Sequence, residues 1–320
     1  MICVLYVIAI GAGLGIVGLL VERALPVTAA RRWVWCVVML VSLFVPGFYR
    51  VQHNWSITQA FEQQAAHPPD HALATASLTA LDPGLWATVQ SYDRVINRLW
   101  VYSSAMLFLW GLINAGRVAH LVSVSRRRQR ARGMPASIDG VPVVVTDSLG
   151  PATVGLLRSR VLVPQWVLAL PGMQRRYVLR HEEEHRSAHD AHLLLLASLP
   201  LLLMPWNAAF WWQLRRLRLA VELDCDNRVV AALGDARAYG GLLLKVAEAG
   251  SRGPRLQPAF LGGVGSLERR LTALLAPSPL RHVQRFLVPA LAIALLFVVL
   301  STPHPVLGRA AAESSVAATP

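Results

Sequence analysis

Residues 2 to 21 contain no charged side chain at any of twenty consecutive positions. At 1.5 Å per residue a helix of that length is ~30 Å long, the thickness of a bilayer's hydrocarbon core. Lipid offers no water to backbone N–H and C=O groups, so such a segment has to be helical to cross it. Three further runs read the same way: 33–49, 99–116 and 286–300. The second is bounded by Trp33 and Tyr49, as interfacial aromatics would have it. A fifth run, 191–212, is apolar but carries Pro200 and Pro205. Hydrophobic residues make up 54% of the chain and charged ones only 15%, against about 25% charged in soluble domains. Mean hydropathy is +0.45. A mainly α membrane protein is the expected class. No Lys or Arg precedes the first run, so it lacks the charged start of a cleaved signal peptide and reads as a retained span. Gly11 and Gly15 make a small-x-x-x-small face that suits close packing against another membrane helix.

Charge gives the orientation. The net charge is +13, nearly all of it from arginine, with Lys245 the only lysine. Arg23, Arg31 and Arg32 follow the first run. Arg117, Arg126, Arg127, Arg128, Arg130 and Arg132 follow the third. The positive-inside rule places both groups in the cytoplasm. Residues 51–96, with Glu62, Asp70, Asp82 and Asp93, then form an external loop, and His53, His67 and His71 in it read as solvated. The arginine run has no aromatic or polar readers beside it, so a lipid-headgroup anchor is expected rather than direct nucleic-acid contact. Among Cys3, Cys36 and Cys225 no paired spacing suggests a disulfide framework.

Against this background stands His181-Glu182-Glu183-Glu184-His185. Residues four apart share a helix face, so both imidazoles can point at one metal ion. Glu182 beside them can take a proton from a water that such an ion activates. The helix is expected over 171–192, and Glu183, Glu184 and Arg186 would equally suit a solvated face. A catalytic zinc needs a third protein ligand. Glu222, in the helical stretch Ala220-Val-Glu-Leu-Asp-Cys-Asp226, is the leading candidate, with Asp226 one turn on to hydrogen-bond a ligating histidine. Asp224, Cys225 and His189 are rivals. His189 would extend the 181/185 spacing by four. Cys225 lies about 60° round the wheel from Glu222. Any ligand beyond residue 212 requires the run 191–212 to turn back. Pro200 and Pro205 each remove a backbone donor, so a re-entrant or interfacial hairpin is expected. Before the zinc helix, Val141–Thr146 and Arg160–Pro164 read as two short strands around a turn at 147–151. They form either a small sheet whose edge holds a substrate or a simple hairpin over the core. Ser266 to Leu275 opens with a capping signal and reads as a helix.

These pieces resemble the integral-membrane zinc metallopeptidases of the BlaR/MecR type, the antirepressor peptidases. The similar stretches are Pro151-Ala-Thr-Val-Gly155 through Pro164, His181-Glu-x-x-His185 with Asp190, Pro205-Trp-Asn207 before paired tryptophans, and Glu222-x-x-Cys225-Asp226. Together they cover roughly residues 90 to 300. The resemblance implies zinc ligands His181, His185 and Glu222, Glu182 as base, and Asp190 and Asp226 as residues that hold the ligands. It implies a zincin-like α+β domain in the cytoplasm, over 121–283, with the membrane-associated hairpin 191–212. The membrane parts are two helices in 1–50, an external loop 51–96, a third helix in 97–120, a last helix in 284–302 and a short external tail 303–320. About four transmembrane helices are therefore expected, in a bacterial inner membrane. The implied activity is cleavage of a cytosolic or membrane-proximal protein, a winged-helix repressor by resemblance. Expected partners are that protein substrate and the lipid bilayer, with a homodimer left open. The large external penicillin-binding domain of the family's sensors is not expected here. The rivals are a housekeeping membrane protease sharing the zinc motif, and a non-catalytic signalling or scaffold protein with a silent metal site.

Overall fold

A computed structural model describes residues 2–25, 31–45, 83–147, 150–155, 159–251, 264–275 and 282–301. Most of the expected external loop, with His53, His67 and His71, and all of the expected tail lie outside the described residues. Ten helices and four strands are described: α1 Ile2–Ala24, α2 Arg32–Val45, α3 Pro83–Ala131, β1 Ser137–Ile138, β2 Val141–Thr146, β3 Ala152–Val154, β4 Arg160–Pro164, α4 Gln165–Leu168, α5 Gly172–Ser187, α6 Asp190–Leu203, α7 Ala208–Leu233, α8 Ala236–Ser251, α9 Val264–Leu275 and α10 His282–Ser301. Two helical segments, Tyr6–Ala24 and Asn97–Ala131, are long and apolar enough to cross a membrane, and Arg32–Val45, Asp190–Leu203 and Val288–Val299 are shorter apolar helices. Helix α3 starts at Pro83, inside the stretch read as loop.

Helix α7 is the spine. Its first half buries Phe210, Leu214 and Leu217 among Ile10 and Leu14 of α1, Trp35 and Met39 of α2, Leu201 of α6 and Val299 of α10. Its second half buries Cys225 and Val229 in a separate core with Val143, Val161 and Val163 of the strands, Tyr177 and Val178 of α5, and Tyr239 and Leu242 of α8. One continuous helix therefore joins an apolar bundle to a small α+β unit. In the bundle, Gln213 is fully buried and donates to the Gly11 carbonyl at 2.7 Å and the Ser42 hydroxyl at 3.0 Å. The face made by Gly11 and Gly15 meets α7: a Cβ on Gly15 would lie 2.1 Å from Trp212 Cζ3, and Trp212 stands edge-on to Trp35 at 5.8 Å. Gly15→Ala is therefore expected to lower the unfolding midpoint in detergent, at an overpacking cost of about 1–3 kcal/mol. An unchanged midpoint would show that Trp212 can move aside.

The apolar run 191–212 does turn back. Helix α6 ends at Leu203, the chain reverses over 204–207, and α6 and α7 pack on each other. The expectation for the prolines needs correction. Pro200 lies inside α6 and does not break it: the helix runs on to Leu203, and the Pro200 carbonyl accepts from Met204 N–H at 2.8 Å. The reversal forms around Pro205, closed by Asn207, whose side chain accepts from Ala209 N–H at 3.0 Å and starts α7. The indoles of Trp211 and Trp100 donate to the carbonyls of Pro205 and Leu203, so the turn's backbone is satisfied from the side.

The strands form a four-stranded sheet in the order β1-β2-β4-β3. The two sequence strands, β2 and β4, pair in parallel, with Val143 opposite Val161 and Thr146 opposite Pro164. They are not a hairpin. The stretch between them supplies β3, which pairs antiparallel to β4 with Ala152 opposite Leu162. Both Val-rich strands are central and buried, which is what a near-continuous β-branched run fits. That leaves β3 at the sheet's edge.

Candidate metal centre

Helix α5 carries His181 and His185 on one face, with Tyr177, Val178 and Glu182 buried on neighbouring faces. The rings meet edge to face at 4.7 Å, and their Nε2 atoms are 3.2 Å apart. Two imidazoles on one tetrahedral ion, each bond 2.0–2.1 Å, would place their nitrogens about 3.3 Å apart. Helix α7 brings Glu222 to the same point: Oε2 is 3.6 Å from His181 Nε2 and Oε1 is 3.8 Å from His185 Nε2. These residues line a cavity of about 320 Å³ together with Glu182, Asp190, Tyr239, Arg270 and the edge-strand residues Ala152 and Thr153.

The continuous helix expected over 171–192 is not what forms. Helix α5 stops at Ser187, and His189 takes a left-handed conformation, φ 55° and ψ 34°. His189 is therefore off the metal-facing stripe. Its ring is exposed, and its Nδ1 lies 3.0 Å from the Ser187 carbonyl. The break serves the site in another way: it starts α6 at Asp190, whose carboxylate reaches back to His185 Nδ1 at 2.8 Å. Asp224 is also away from the histidines, and accepts the backbone N–H groups of Arg31 and Arg32, each at 3.2 Å. Cys225 is a different matter. Its thiol is fully buried and lies 3.3 Å from His181 Nδ1. His181, His185 and Cys225 make a second group able to hold a metal ion. A wheel separation of ~60° does not take a side chain out of reach.

The family model described as BlaR1 peptidase M56 matches residues 4–274. The chain belongs to that family. It is thus a peptidase of a membrane-associated metallopeptidase family, and His181, His185 and Cys225 are among the residues that could bind its metal. A search of curated proteins finds no match.

Around the centre of this M56 peptidase lie partners that the sequence reading missed. Arg270 of α9 grips Asp226 with two bonds of 2.7 Å and lies 3.0 Å from Glu222. Burial works to raise the Glu222 carboxyl, but the Arg270 guanidinium and the two histidines hold it well below the usual carboxylate range. Tyr239 donates its hydroxyl proton to Asp226 at 2.7 Å and lies 2.9 Å from His181 Nδ1. Burial and the Asp226 carboxylate push that phenol far up, so it remains a donor. Asp226 itself is 3.5 Å from His181 Nδ1, and so reaches the ring chiefly through Tyr239. Thr153 of β3 points its hydroxyl at Glu182, 2.8 Å from the backbone carbonyl and 3.0 Å from a carboxylate oxygen, the two sharing its one proton. A sequence signal for Arg270 existed: with Leu267, Leu271 and Leu274 it falls on the apolar face of α9, where an arginine implies a buried acid. Glu184, which by sequence would have suited a solvated face, is buried between Arg180 and Arg228 and clamps α5 to α7.

Proposed function

We propose that this M56 peptidase is a zinc endopeptidase of the bacterial inner membrane, with its site on the cytoplasmic face. Its substrate would be a cytosolic or membrane-proximal protein, a transcriptional repressor by family resemblance. The observation that carries the reading is the convergence of His181 Nε2, His185 Nε2 and a Glu222 oxygen at ligand-to-ligand spacing. Two imidazoles and a carboxylate are the donor set of a catalytic zinc, which keeps a fourth position open. Zinc held there would activate a water and polarise the scissile carbonyl. Glu182 is the base: it lines the same cavity, is 5% exposed, and is steadied by the Thr153 hydroxyl. Asp190 and Tyr239 each meet an Nδ1, which fixes the rings with Nε2 toward the ion. Edge strand β3, which among the described residues pairs with β4 on one side, borders the cavity, and an extended substrate could add along its other side as a strand.

The cytoplasmic assignment rests on where the arginines lie. The Arg-rich end of α3 joins the sheet, with Arg128 on Asp147 at 3.0 Å and Gln129 bonded to the Pro135 and Val143 carbonyls. Arg32 and Arg270 lie at the centre itself. The positive-inside rule puts that side in the cytoplasm.

A second reading is favoured by the buried thiol: a closed site of His181, His185 and Cys225, structural or silent. Cys225 faces Nδ1 of His181, whereas the two rings converge through Nε2. We therefore prefer Glu222. Metal analysis of the purified protein tests this. Glu222→Gln is expected to lose at least about 10-fold in zinc affinity, while Cys225→Ser keeps one ion per chain and cleaves a repressor substrate. The reverse pattern would establish the closed site.

A further inference from the structure

We propose that Arg32, at the start of helix α2, is a positioning residue for the metal centre: it fixes His185 by holding Asp190. The proposal rests on the reading in which His185 is a metal ligand.

Asp190 shares its two carboxylate oxygens between two partners. Oδ1 accepts from Arg32 Nη1 at 2.7 Å, and Oδ2 meets His185 Nδ1 at 2.8 Å. The Asp190 side chain is only 3% exposed and that of Arg32 15%, so the pair is shielded from water and salt. The other cation near Asp190, Arg228, lies 3.8 Å away, beyond hydrogen-bond reach, and is already engaged by Glu184 at 2.8 Å. Arg32 is therefore the close counter-charge of this carboxylate. A carboxylate so held accepts the Nδ1 proton of His185, and that tautomer leaves Nε2 bare toward Glu222 and His181.

Arg32 is itself fixed. Asp224 of α7 accepts the backbone N–H of both Arg31 and Arg32 at 3.2 Å, one on each oxygen, in the manner of a helix cap supplied from another element. The start of α2 is thus tied to α7, which carries Glu222, and through Asp190 to α5, which carries His185. Asp224 and the packing of Trp35 and Met39 anchor α2 without the Arg32 guanidinium. The guanidinium adds a tie to the ligand itself. Orientation of α2 and geometry of the metal centre are therefore coupled: a shift of α2 that withdraws Arg32 leaves Asp190 without its close partner and frees the His185 ring to turn.

Cobalt(II) in place of zinc, in the full chain in detergent, reads this directly, because its visible ligand-field spectrum reports ligand geometry without any turnover. Removing a partner that orients a ligating histidine typically costs 10–100-fold in metal affinity. Asp190→Asn is expected in that range and Arg32→Met near its lower end, about 10-fold, with a changed cobalt spectrum. The double variant is expected to be no weaker than Asp190→Asn alone, and Arg32→Lys to recover most of the affinity. Arg32→Gln carries the same expectation as Arg32→Met should the latter not be isolable. Arg216→Met is the structural control. It removes a comparably buried pair, Arg216 to Glu22 at 2.6 Å, and a stack on Trp35 of α2, while leaving the Arg32–Asp190 bond and every ligand contact in place. It should lower thermal stability and leave cobalt affinity and spectrum as in the wild type. Wild-type affinity and spectrum in Arg32→Met, or effects of Arg32→Met and Asp190→Asn that add, overturn the proposal. A wild-type chain that binds no ion, or His185→Ala that binds it normally, overturns the proposal together with the metal reading beneath it.

Discussion

Glu182→Gln should cleave at least about 100-fold more slowly than the wild type while binding zinc at the same stoichiometry. A positioned general base contributes typically 10²–10⁴-fold, and glutamine keeps the shape and the oxygen acceptor of glutamate while losing its basicity. The contacts of Glu182 make the comparison clean. Its carboxylate is bonded by the Thr153 hydroxyl and lies inside the cavity rather than among the helix-packing pairs. The amide can keep the Thr153 bond through its oxygen, so the fold has no reason to change. Single-turnover cleavage and metal content, measured on the same preparation, separate the two effects. Cleavage at the wild-type rate would remove Glu182 as the base.

The second large effect falls on stability. Arg270→Met keeps most of the side chain's length and apolar stem but removes its charge. Asp226, 1% exposed, then loses two bonds of 2.7 Å and keeps the Tyr239 hydroxyl. Breaking one side of a buried pair costs about 3–5 kcal/mol, because the charge left behind is out of water and has lost its compensating charge. An exposed pair would cost under ~1 kcal/mol. The measurement belongs on chelated protein, since an ion near Glu222 would itself supply positive charge. The unfolding midpoint should fall markedly in Arg270→Met and recover in part in Arg270→Met/Asp226→Asn, where the orphaned charge is gone. A double variant as unstable as the single would assign the loss to packing of the arginine stem instead.

What the sequence made legible follows the range of the interactions involved. Apolar runs and the four-residue spacing of His181 and His185 are local periodicities, and helices α1, α2 and α5 fall on the stretches those periods mark, although α5 ends short of the expected 192. The strand partners were not legible. Val141–Thr146 and Arg160–Pro164 are both short β-branched runs, and nothing in such a run says whether its neighbour is parallel, antiparallel or separated by a third strand. The break at His189 was missed for a related reason: no glycine or proline marks it, and a histidine with positive φ is an uncommon conformation that tertiary packing imposes. Arg270 and Tyr239 reach Asp226 from 44 and 13 residues away. Pairing over such distances is set by how α7, α8 and α9 pack, and single-sequence patterns carry only the hint that an arginine lies on an apolar face.

The reversal at residues 204–207 has a consequence for the lipid around the chain. Helix α6 has 14 residues, which at 1.5 Å each gives a rod of about 21 Å, well short of a ~30 Å hydrocarbon slab. A hairpin that returns to the side it came from has no need to match that thickness; an arm this short reverses within the slab, where its backbone has to be shielded by protein. In the proposed setting the tip of that hairpin would lie among acyl chains, its Leu203 and Pro205 carbonyls insulated by the indoles of Trp100 and Trp211.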